Sequence, residues 1–399
     1  MKFKYFIFIA ITFFLSNTNI AGIWTQKQHF GGDARHRATS FSINGKGYSG
    51  LGHINSGQHI TYDDFWEYDP VSDTWTQKAD FGGGQRQHAT GFSIGDYGYV
   101  GLGRDSLDDY TSDFWKFDPV ANTWALIDSF PGDPRRGAAS FVLFDEGYVG
   151  TGQTDNGYAL DFFKYDPIST DWVSVAVFPG VARTSGVGLA RNGKGYIATG
   201  HTWGAALKDF WEYNPVSDDW TQLADVGDTL RQDACGFVVN DRAYVGTGNN
   251  VDGSINYGDM LEYDFDNDIW FKVDDFGGFK RRYMTSFVID SLAYCGGGTD
   301  GTNFNDLWEF NQYKSVDVVI IEKSNIKVYP TIVSQALTIE NDKADSFMII
   351  GVSGKLIIHK QISIGSNFYQ IDNLSNGMYF IRFYNDDVLL KSQKIIVQK

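Results

Sequence analysis

The sequence predicts an all-β protein in two parts, a ring of six similar four-stranded units followed by a small β-sandwich domain. Tryptophans recur at intervals of 48 to 51 residues, and each interval contains four short runs of β-forming residues. From Ile326 onward the repeat gives way to dense Ile and Val strands without tryptophan. Because a fixed period of about 50 residues indicates equivalent stacked units, the repeat determines the architecture.

Four columns of residues recur in every unit. The tryptophan column is Trp24, Trp75, Trp124, Trp172, Trp220 and Trp270. The arginine column opens an apolar run and is Arg35, Arg86, Arg135, Arg183, Arg231 and Arg281. A tyrosine then leads into Gly-x-Gly, as from Tyr48 to Gly52, with Ala198 replacing the first glycine once. The aspartate column begins phrases such as DFWEYDPVSDTW and is Asp64, Asp113, Asp161, Asp209, Asp259 and Asp306.

Each unit is predicted to be a four-stranded antiparallel meander. In the second unit the four runs are HATGFSI (88–94), GYVGLG (98–103), DFWKFD (113–118) and TWALI (123–127). Glycine, Asn/Asp or Asp-Pro turn signals separate them. Because four strands in about 50 residues are typical of a propeller blade, residues 23–313 are predicted to form a six-bladed β-propeller whose aromatic columns pack blade against blade.

The two ends of the repeat predict how the ring closes. The repeat begins with an outer-strand sequence, GIWTQKQ (22–28), whereas the last unit stops after DLWEFN (306–311) with no tryptophan following. We therefore expect the N-terminal strand to complete the sixth blade, which removes two open sheet edges.

The four columns resemble kelch repeats. Arginine opening strand A, tyrosine and glycines ending strand B, then Tyr-Asp-Pro and tryptophan in strands C and D follow the kelch order over roughly residues 23–313. Kelch units usually carry an adjacent Gly-Gly pair where this chain has Gly-x-Gly. The resemblance thus places the chain among divergent kelch and galactose-oxidase-like propellers and implies a six-bladed ring.

The N-terminus predicts export. Lys2 and Lys4 precede an apolar run from Phe6 to Leu15, followed by small and polar residues. This is the pattern of a secretory signal peptide, expected over residues 1–22. A transmembrane anchor is the alternative, and we disfavour it because the run is too short to cross a bilayer.

The C-terminal residues 326–399 resemble the sorting domain of proteins exported by type IX secretion. The matching motifs are Val328-Tyr329-Pro330, Leu337-Thr-Ile339, Gly354-Lys355, Leu374 with Asn376-Gly-Met-Tyr379, and Lys394-Ile-Ile. The resemblance implies passage across the outer membrane by the type IX machinery, and a protein that is secreted or held on the outer cell surface. An ordinary β-sandwich binding module is the alternative that alternating strands alone would allow. Residues 314–325 are the expected linker between the two domains.

Charge disfavours one class of partner. The net charge is −16; residues 1–22 carry +2 and residues 326–399 carry +2, which leaves −20 for residues 23–325. Such a region repels phosphate-rich polymers, so nucleic-acid binding is not expected. The two cysteines, Cys235 and Cys295, lie in apolar strand patterns one repeat apart, and the sequence favours two buried thiols over a disulfide.

The functional face is predicted from topology. In a four-stranded meander the D-to-A connection and the B-to-C loop share one end, so two sets of polar residues should surround the same channel mouth. The residues after Gly-x-Gly are His53, Arg104, Gln153, His201, Asn249 and Thr299. The residues after the column arginines are His36, Gln87, Arg136, Thr184, Gln232 and Arg282. We call these twelve positions the mouth residues.

Irregular positions on this face are the better binding candidates. The column arginines recur in step with the column aspartates, which suggests structural ion pairs between blades. Trp203 alone among eleven tryptophans lies in a B-to-C loop, where it would serve as a stacking platform for a sugar or protein, or else pack over its own loop. The candidate ligand-binding residues are Trp203, His53, Arg104, Gln153, His201, Asn249, Arg136 and Arg282.

No cofactor or metal site is predicted. Copper oxidase chemistry, which the galactose-oxidase resemblance raises, is rejected because His53 and His201 belong to opposite blades and neither cysteine lies in a mouth loop. DFDND (264–268) and TDGTNFND (299–306) lack EF-hand spacing. The favoured function is therefore a monomeric binding module for a protein or glycan. The alternative is an enzyme on an acidic sugar, resembling sialic acid mutarotase, with Arg104, Arg136 and Arg282 as its basic groups.

Overall fold

The computed structural model describes residues 23–55, 59–312, 325–351, 356–385 and 388–399, which form strands and turns without a helix. The predicted signal peptide lies outside the described residues, and so do residues 313–324, which include most of the predicted linker. Within these ranges no helix could span a bilayer.

Six four-stranded antiparallel sheets form the predicted ring, each in the order A-B-C-D. Strand A is Thr39–Ile43, Thr90–Ile94, Ala139–Leu143, Val187–Arg191, Cys235–Val239 and Thr285–Ile289. Strand B is Lys46–Gly50, Tyr97–Gly101, Glu146–Gly150, Lys194–Ala198, Arg242–Gly246 and Leu292–Gly296. Strand C is Phe65–Asp69, Phe114–Asp118, Phe162–Asp166, Phe210–Asn214, Met260–Asp264 and Leu307–Asn311. Strand D is Thr74–Gln77, Thr123–Ile127, Asp171–Val175, Asp219–Leu223, Ile269–Val273 and, for the sixth blade, Ile23–Lys27.

The aromatic columns pack blade against blade, as predicted. Trp124 of blade two packs on Phe117 of its own blade and on Phe65 of blade one, with ring centroids 4.8 and 5.2 Å apart. Its indole donates a hydrogen bond of 3.1 Å to the Ala79 carbonyl in the preceding connection. A Cβ at Gly98 would lie 2.3 Å from the Phe41 ring of blade one, so only glycine permits this approach.

The ring closes through the N-terminal strand, which confirms the sequence prediction. Ile23–Lys27 pairs antiparallel with Leu307–Asn311, with Ile23 opposite Asn311 and Lys27 opposite Leu307. Trp24 packs edge-on against Phe276, 4.9 Å between ring centroids.

The C-terminal residues form two sheets over one core. One sheet pairs Lys327–Tyr329 with Ala336–Asn341 and that strand with Gly365–Gln370. The other contains, in spatial order, Ile332–Val333, Val388–Val397, Gly377–Asn385, Ser346–Gly351 and Leu356–Gln361. Buried side chains of both sheets, such as Leu337, Ile339, Phe347 and Ile381, share the core, so this part is the predicted small β-sandwich.

The described strands that do not belong to the twenty-four blade strands or the C-terminal sheets are short and lie in the B-to-C loops or just before strand A. They are His53–Asn55, His59–Thr61, Arg86–Gln87, Arg104–Asp105, Gln153–Thr154, Gly157–Tyr158, His201–Thr202 and Ala205–Ala206. Because they follow strand B or precede strand A, they build one end of the ring.

Candidate functional site

Buried ion pairs hold the loops at this end of the ring. The Arg183 side chain is fully buried; its two terminal nitrogens donate to the Asp209 carboxylate at 2.6 and 2.5 Å, and one of them also donates to the Thr199 carbonyl at 2.9 Å. The equivalent pairs are Arg35–Asp64, Arg86–Asp113, Arg135–Asp161, Arg231–Asp259 and Arg281–Asp306. Each bidentate pair fastens the D-to-A connection to the start of strand C.

The prediction that these pairs bridge neighbouring blades is wrong. Both partners belong to the same blade, because the residues before strands A and C flank the same strand B. At this end of the ring, the backbone of the column arginine contacts the preceding blade. Arg86 NH donates to the Tyr62 carbonyl at 3.0 Å, and the Arg86 carbonyl accepts from Gly52 NH at 2.8 Å. Arg86 therefore binds its own blade through its side chain and the preceding blade through its backbone.

The mouth residues do converge, pairwise, at this end. Each residue after Gly-x-Gly lies in an antiparallel bridge with the residue after the column arginine of the same blade. The pairs are His36–His53, Gln87–Arg104, Arg136–Gln153, Thr184–His201, Gln232–Asn249 and Arg282–Thr299. The candidate ligand-binding residues differ in burial. His53 and Asn249 are only 2% and 1% exposed. The partly exposed ones are Arg104, Arg136, Gln153, His201 and Arg282.

Sequence reasoning missed a second ring, which we call the neck ring. It consists of Arg37, His88, Gly137, Ser185, Asp233 and Tyr283, each two positions after a column arginine and each with positive φ. Backbone hydrogen bonds run from blade to blade through these residues, for example His88 NH to the Arg37 carbonyl at 3.0 Å and Ser185 NH to the Gly137 carbonyl at 2.9 Å. The neck ring lines a channel cavity of about 260 Å³ together with the first residues of the A strands.

The signal for the neck ring was its fixed place after the arginine column. Its residue types share no property, since they are arginine, histidine, glycine, serine, aspartate and tyrosine. A comparison of recurring residue types therefore does not reveal it.

Arg37 connects the neck ring to the mouth. Its guanidinium donates 2.9 Å to the Tyr283 hydroxyl and 3.3 Å to the Gln87 side-chain oxygen, and it lies over the Tyr283 ring. Burial, and then the nearby Asp233 carboxylate, raise the pKa of Tyr283 to about 12. Tyr283 therefore keeps its hydroxyl proton at neutral pH.

Three histidines at this end, His36, His88 and His201, have lowered pKa values and are neutral at neutral pH. Burial, followed by the charges of His53 and Arg37, lowers the pKa of His36 to about 3. Burial and the nearby Arg37 and Arg136 also lower the pKa of His88 well below its ordinary value, and burial lowers that of His201. Positive charge at the mouth is thus carried by guanidinium groups.

Three of these guanidinium groups have no carboxylate partner among the described residues. Arg136 donates to the Gln153 side-chain oxygen at 2.8 and 3.1 Å, and Arg282 donates to the Asn256 side-chain oxygen at 2.9 Å. Arg37 contacts Tyr283 and Gln87 as above, whereas Arg104 forms an exposed pair with Asp108. These neutral partners orient the guanidinium groups of Arg37, Arg136 and Arg282 without neutralising them.

An aromatic patch adjoins the arginines. Trp203 is 73% exposed and contacts Tyr158 of the neighbouring blade edge-to-face, with ring centroids 5.1 Å apart. Tyr110 lies between Arg104 and Arg136, whose guanidinium carbons are 6.0 and 5.9 Å from its ring centroid. One edge of Trp203 therefore packs on the neighbouring blade instead of over its own loop, and most of the indole faces solvent.

Comparisons with known proteins identify the C-terminal part and the fold. Residues 327–398 match the family described as the secretion system C-terminal sorting domain. The chain therefore carries a type IX sorting tail and is exported to the cell surface or the extracellular space. The structure of YjhT, a β-propeller, is similar with a TM-score of 0.60 and 19% identity over 70% of this chain and 96% of that chain. No match was found among curated proteins.

Proposed function

We propose that this exported kelch-type propeller is a recognition module that binds an acidic glycan at its channel mouth. The observation that carries the proposal is the set of three guanidinium groups, Arg37, Arg136 and Arg282, held by neutral partners around one opening. Arginines without a carboxylate partner recognise carboxylate or sulfate groups by paired N–H donors.

The aromatic patch supports a sugar rather than a free anion. An exposed indole beside a second aromatic ring provides an apolar face for a sugar ring, and Trp203 with Tyr158 lies near Arg136. A ligand that stacks on Trp203 and extends toward the channel would bring an acidic group to Arg136.

The net negative charge does not argue against an acidic ligand. At physiological ionic strength the Debye length is about 8 Å, so a bound ligand responds mainly to charges in its immediate surroundings. The mouth arginines are these charges. The remaining acidic surface instead disfavours long polyanions such as nucleic acids.

A glycan array tests the proposal directly. The secreted chain should bind carboxylated or sulfated glycans and not their neutral counterparts, while Arg136→Gln and, to a smaller extent, Trp203→Ala should weaken this signal. Phe144→Ala is a matched control, because Phe144 is 71% exposed in an A-to-B turn at the opposite end of the ring. Binding that does not distinguish acidic from neutral glycans contradicts the proposal, and no glycan binding at all would favour a protein partner.

An enzyme on an acidic sugar is the second candidate, since the neck adds a buried carboxylate, Asp233, to the mouth arginines. Turnover of a bound acidic sugar that depends on pH and disappears in Arg136→Gln would favour this reading. Binding without turnover favours the recognition module.

A further inference from the structure

Buried polar atoms that lack a hydrogen bond of ordinary geometry converge at the neck ring. They are both carboxylate oxygens of Asp233, both ring nitrogens of His88 and the hydroxyl of Ser185. The Asp233 side chain is 3% exposed, and its carboxylate faces the Tyr283 hydroxyl, whose pKa it raises by its negative charge and by hydrogen bonding. Buried polar groups are normally paired, so this cluster requires an explanation.

Blade order places the two main members of the cluster across the channel from each other. His88 belongs to blade two and Asp233 to blade five, three positions apart in a ring of six, and both line the cavity of about 260 Å³. This volume lies below the ~300–1,000 Å³ of pockets for drug-sized ligands, so the neck holds a group about the size of one sugar residue. Among the described residues no cluster of three metal-ligating side chains is present, which makes a cation a poor match.

We propose that the neck ring is a terminal subsite that receives a single sugar residue, whose adjacent hydroxyls donate to the two oxygens of Asp233. A carboxylate accepts two hydrogen bonds side by side, which fits a pair of neighbouring hydroxyl groups. His88, as a neutral imidazole, offers one donor and one acceptor from the opposite wall. This inference rests on the proposed acidic-glycan function and adds that the protein recognises the end of a chain.

Asp233→Asn is the variant that tests the subsite. Asparagine matches aspartate in shape and tolerates the positive φ of 54° at this position, so the fold is retained. We expect affinity for acidic monosaccharides, with glucuronate and galacturonate as the probes in calorimetry, to fall about tenfold or more. Methylation of adjacent hydroxyls on the same probes should reduce binding to wild type and have little further effect on the variant.

The outcomes separate the subsite from the proposed function. Wild type and Asp233→Asn binding the probes equally, while Arg136→Gln loses them, would overturn the subsite alone. Binding of internal segments of long acidic glycans with no requirement for a free end would overturn it as well. Failure of wild type to bind any acidic glycan or probe would overturn both proposals.

Two thiols at the interface of blades five and six carry an independent inference. Cys235, the first residue of strand A in blade five, and Cys295 of strand B in blade six are buried free thiols in the structure, as the sequence predicts, with 3.6 Å between their sulfur atoms. A disulfide requires about 2.05 Å, so the two sulfur atoms would have to approach each other by about 1.5 Å. The sorting tail takes the chain out of the reducing cytoplasm, where disulfides rarely persist.

We infer that the exported protein contains a Cys235–Cys295 disulfide linking these two blades. Cys235 as thiolate attacks a disulfide of an oxidoreductase, and Cys295 then displaces that protein as a dithiol; the two thiols lose two protons and two electrons and form one S–S bond. Because both thiols are buried in the closed ring, we expect oxidation before the ring closes.

Alkylation of the denatured protein counts the free thiols. Protein collected from the growth medium of the native cells should incorporate no maleimide before reduction and two afterwards, whereas Cys235→Ala should incorporate one in both cases. Incorporation of two maleimides without reduction would overturn the disulfide.

Discussion

Two arginines joined by one peptide bond have opposite surroundings. Arg135 is 1% exposed, and its terminal nitrogens donate to the Asp161 carboxylate at 2.5 and 2.8 Å. Arg136 remains partly exposed, faces the mouth and donates to the neutral Gln153 side chain. Arg281 and Arg282 repeat this contrast in the sixth blade.

The difference follows from the extended backbone. Successive side chains point to opposite sides, so the repeat places one arginine on its column aspartate and the next at the mouth. The partner of each arginine therefore follows from its position in the repeat and not from its residue type.

Replacement of a column arginine should have the largest effect. Arg281→Leu leaves Asp306, only 12% exposed, as an uncompensated buried carboxylate and removes a donor from the Gly297 carbonyl. We expect the free energy of unfolding to fall by about 3 kcal/mol, measured by denaturant titration of the secreted chain. The adjacent Arg282→Gln is the matched control and should change it by less than about 0.5 kcal/mol. Equal losses of stability for Arg281→Leu and Arg282→Gln would contradict the distinction between column arginines and mouth arginines.

Acidification should lower the stability of the fold by protonating buried histidines that are neutral at pH 7. The pKa of His36 is about 3 in the folded protein and near 6.5 when unfolded, so its contribution to stability is complete above pH 6.5 and is lost as pH falls toward 3. By pH 5 the loss in the free energy of unfolding from this group is about 2 kcal/mol, since each pKa unit corresponds to about 1.36 kcal/mol. His36→Gln should therefore lose less stability than wild type between pH 7.5 and 5. Parallel pH profiles for the two proteins would contradict the assignment.

Replacement of a mouth arginine should affect binding and leave the fold intact. Arg136→Gln should weaken acidic-glycan binding about tenfold, equivalent to about 1.4 kcal/mol, with an unchanged melting temperature. Arg242→Gln, in the A-to-B hairpin at the other end of blade five, is the control for binding alone, because it also loses ion pairs with Glu262 and Asp264. A lower melting temperature for Arg136→Gln would indicate that Arg136 stabilises the fold as the column arginines do.

The smallest effect is expected at the aromatic patch. Trp203→Ala should reduce affinity several-fold and more for long than for short glycans, because Trp203 lies away from the neck ring, and calorimetry with a size series measures this. Trp203→Phe should retain most of the binding if ring stacking is the interaction. A loss that is the same for every ligand length would place Trp203 in the inner site instead.

The repeat made most of the fold predictable. Columns such as Trp124 and Arg183 occur in register, so the strands, the pairing of column arginines with column aspartates and the ring closure could be predicted from spacing. The neck ring could not be, because Asp233 and His88 differ from blade to blade and only the ring brings them together. The sequence pattern also could not predict which blade supplies the aspartate of each ion pair, since spacing does not distinguish a partner in the same blade from one in the next.

Closure by the first strand also imposes an order on synthesis. Ile23–Lys27 leaves the ribosome before the rest of the propeller, yet its partner Leu307–Asn311 is made last. Until then the nascent chain has unpaired strand edges at both ends, which are exposed to aggregation. Because the sorting domain at residues 327–398 is translated only after Asn311, a chain that displays this sorting domain already contains every strand that the ring needs.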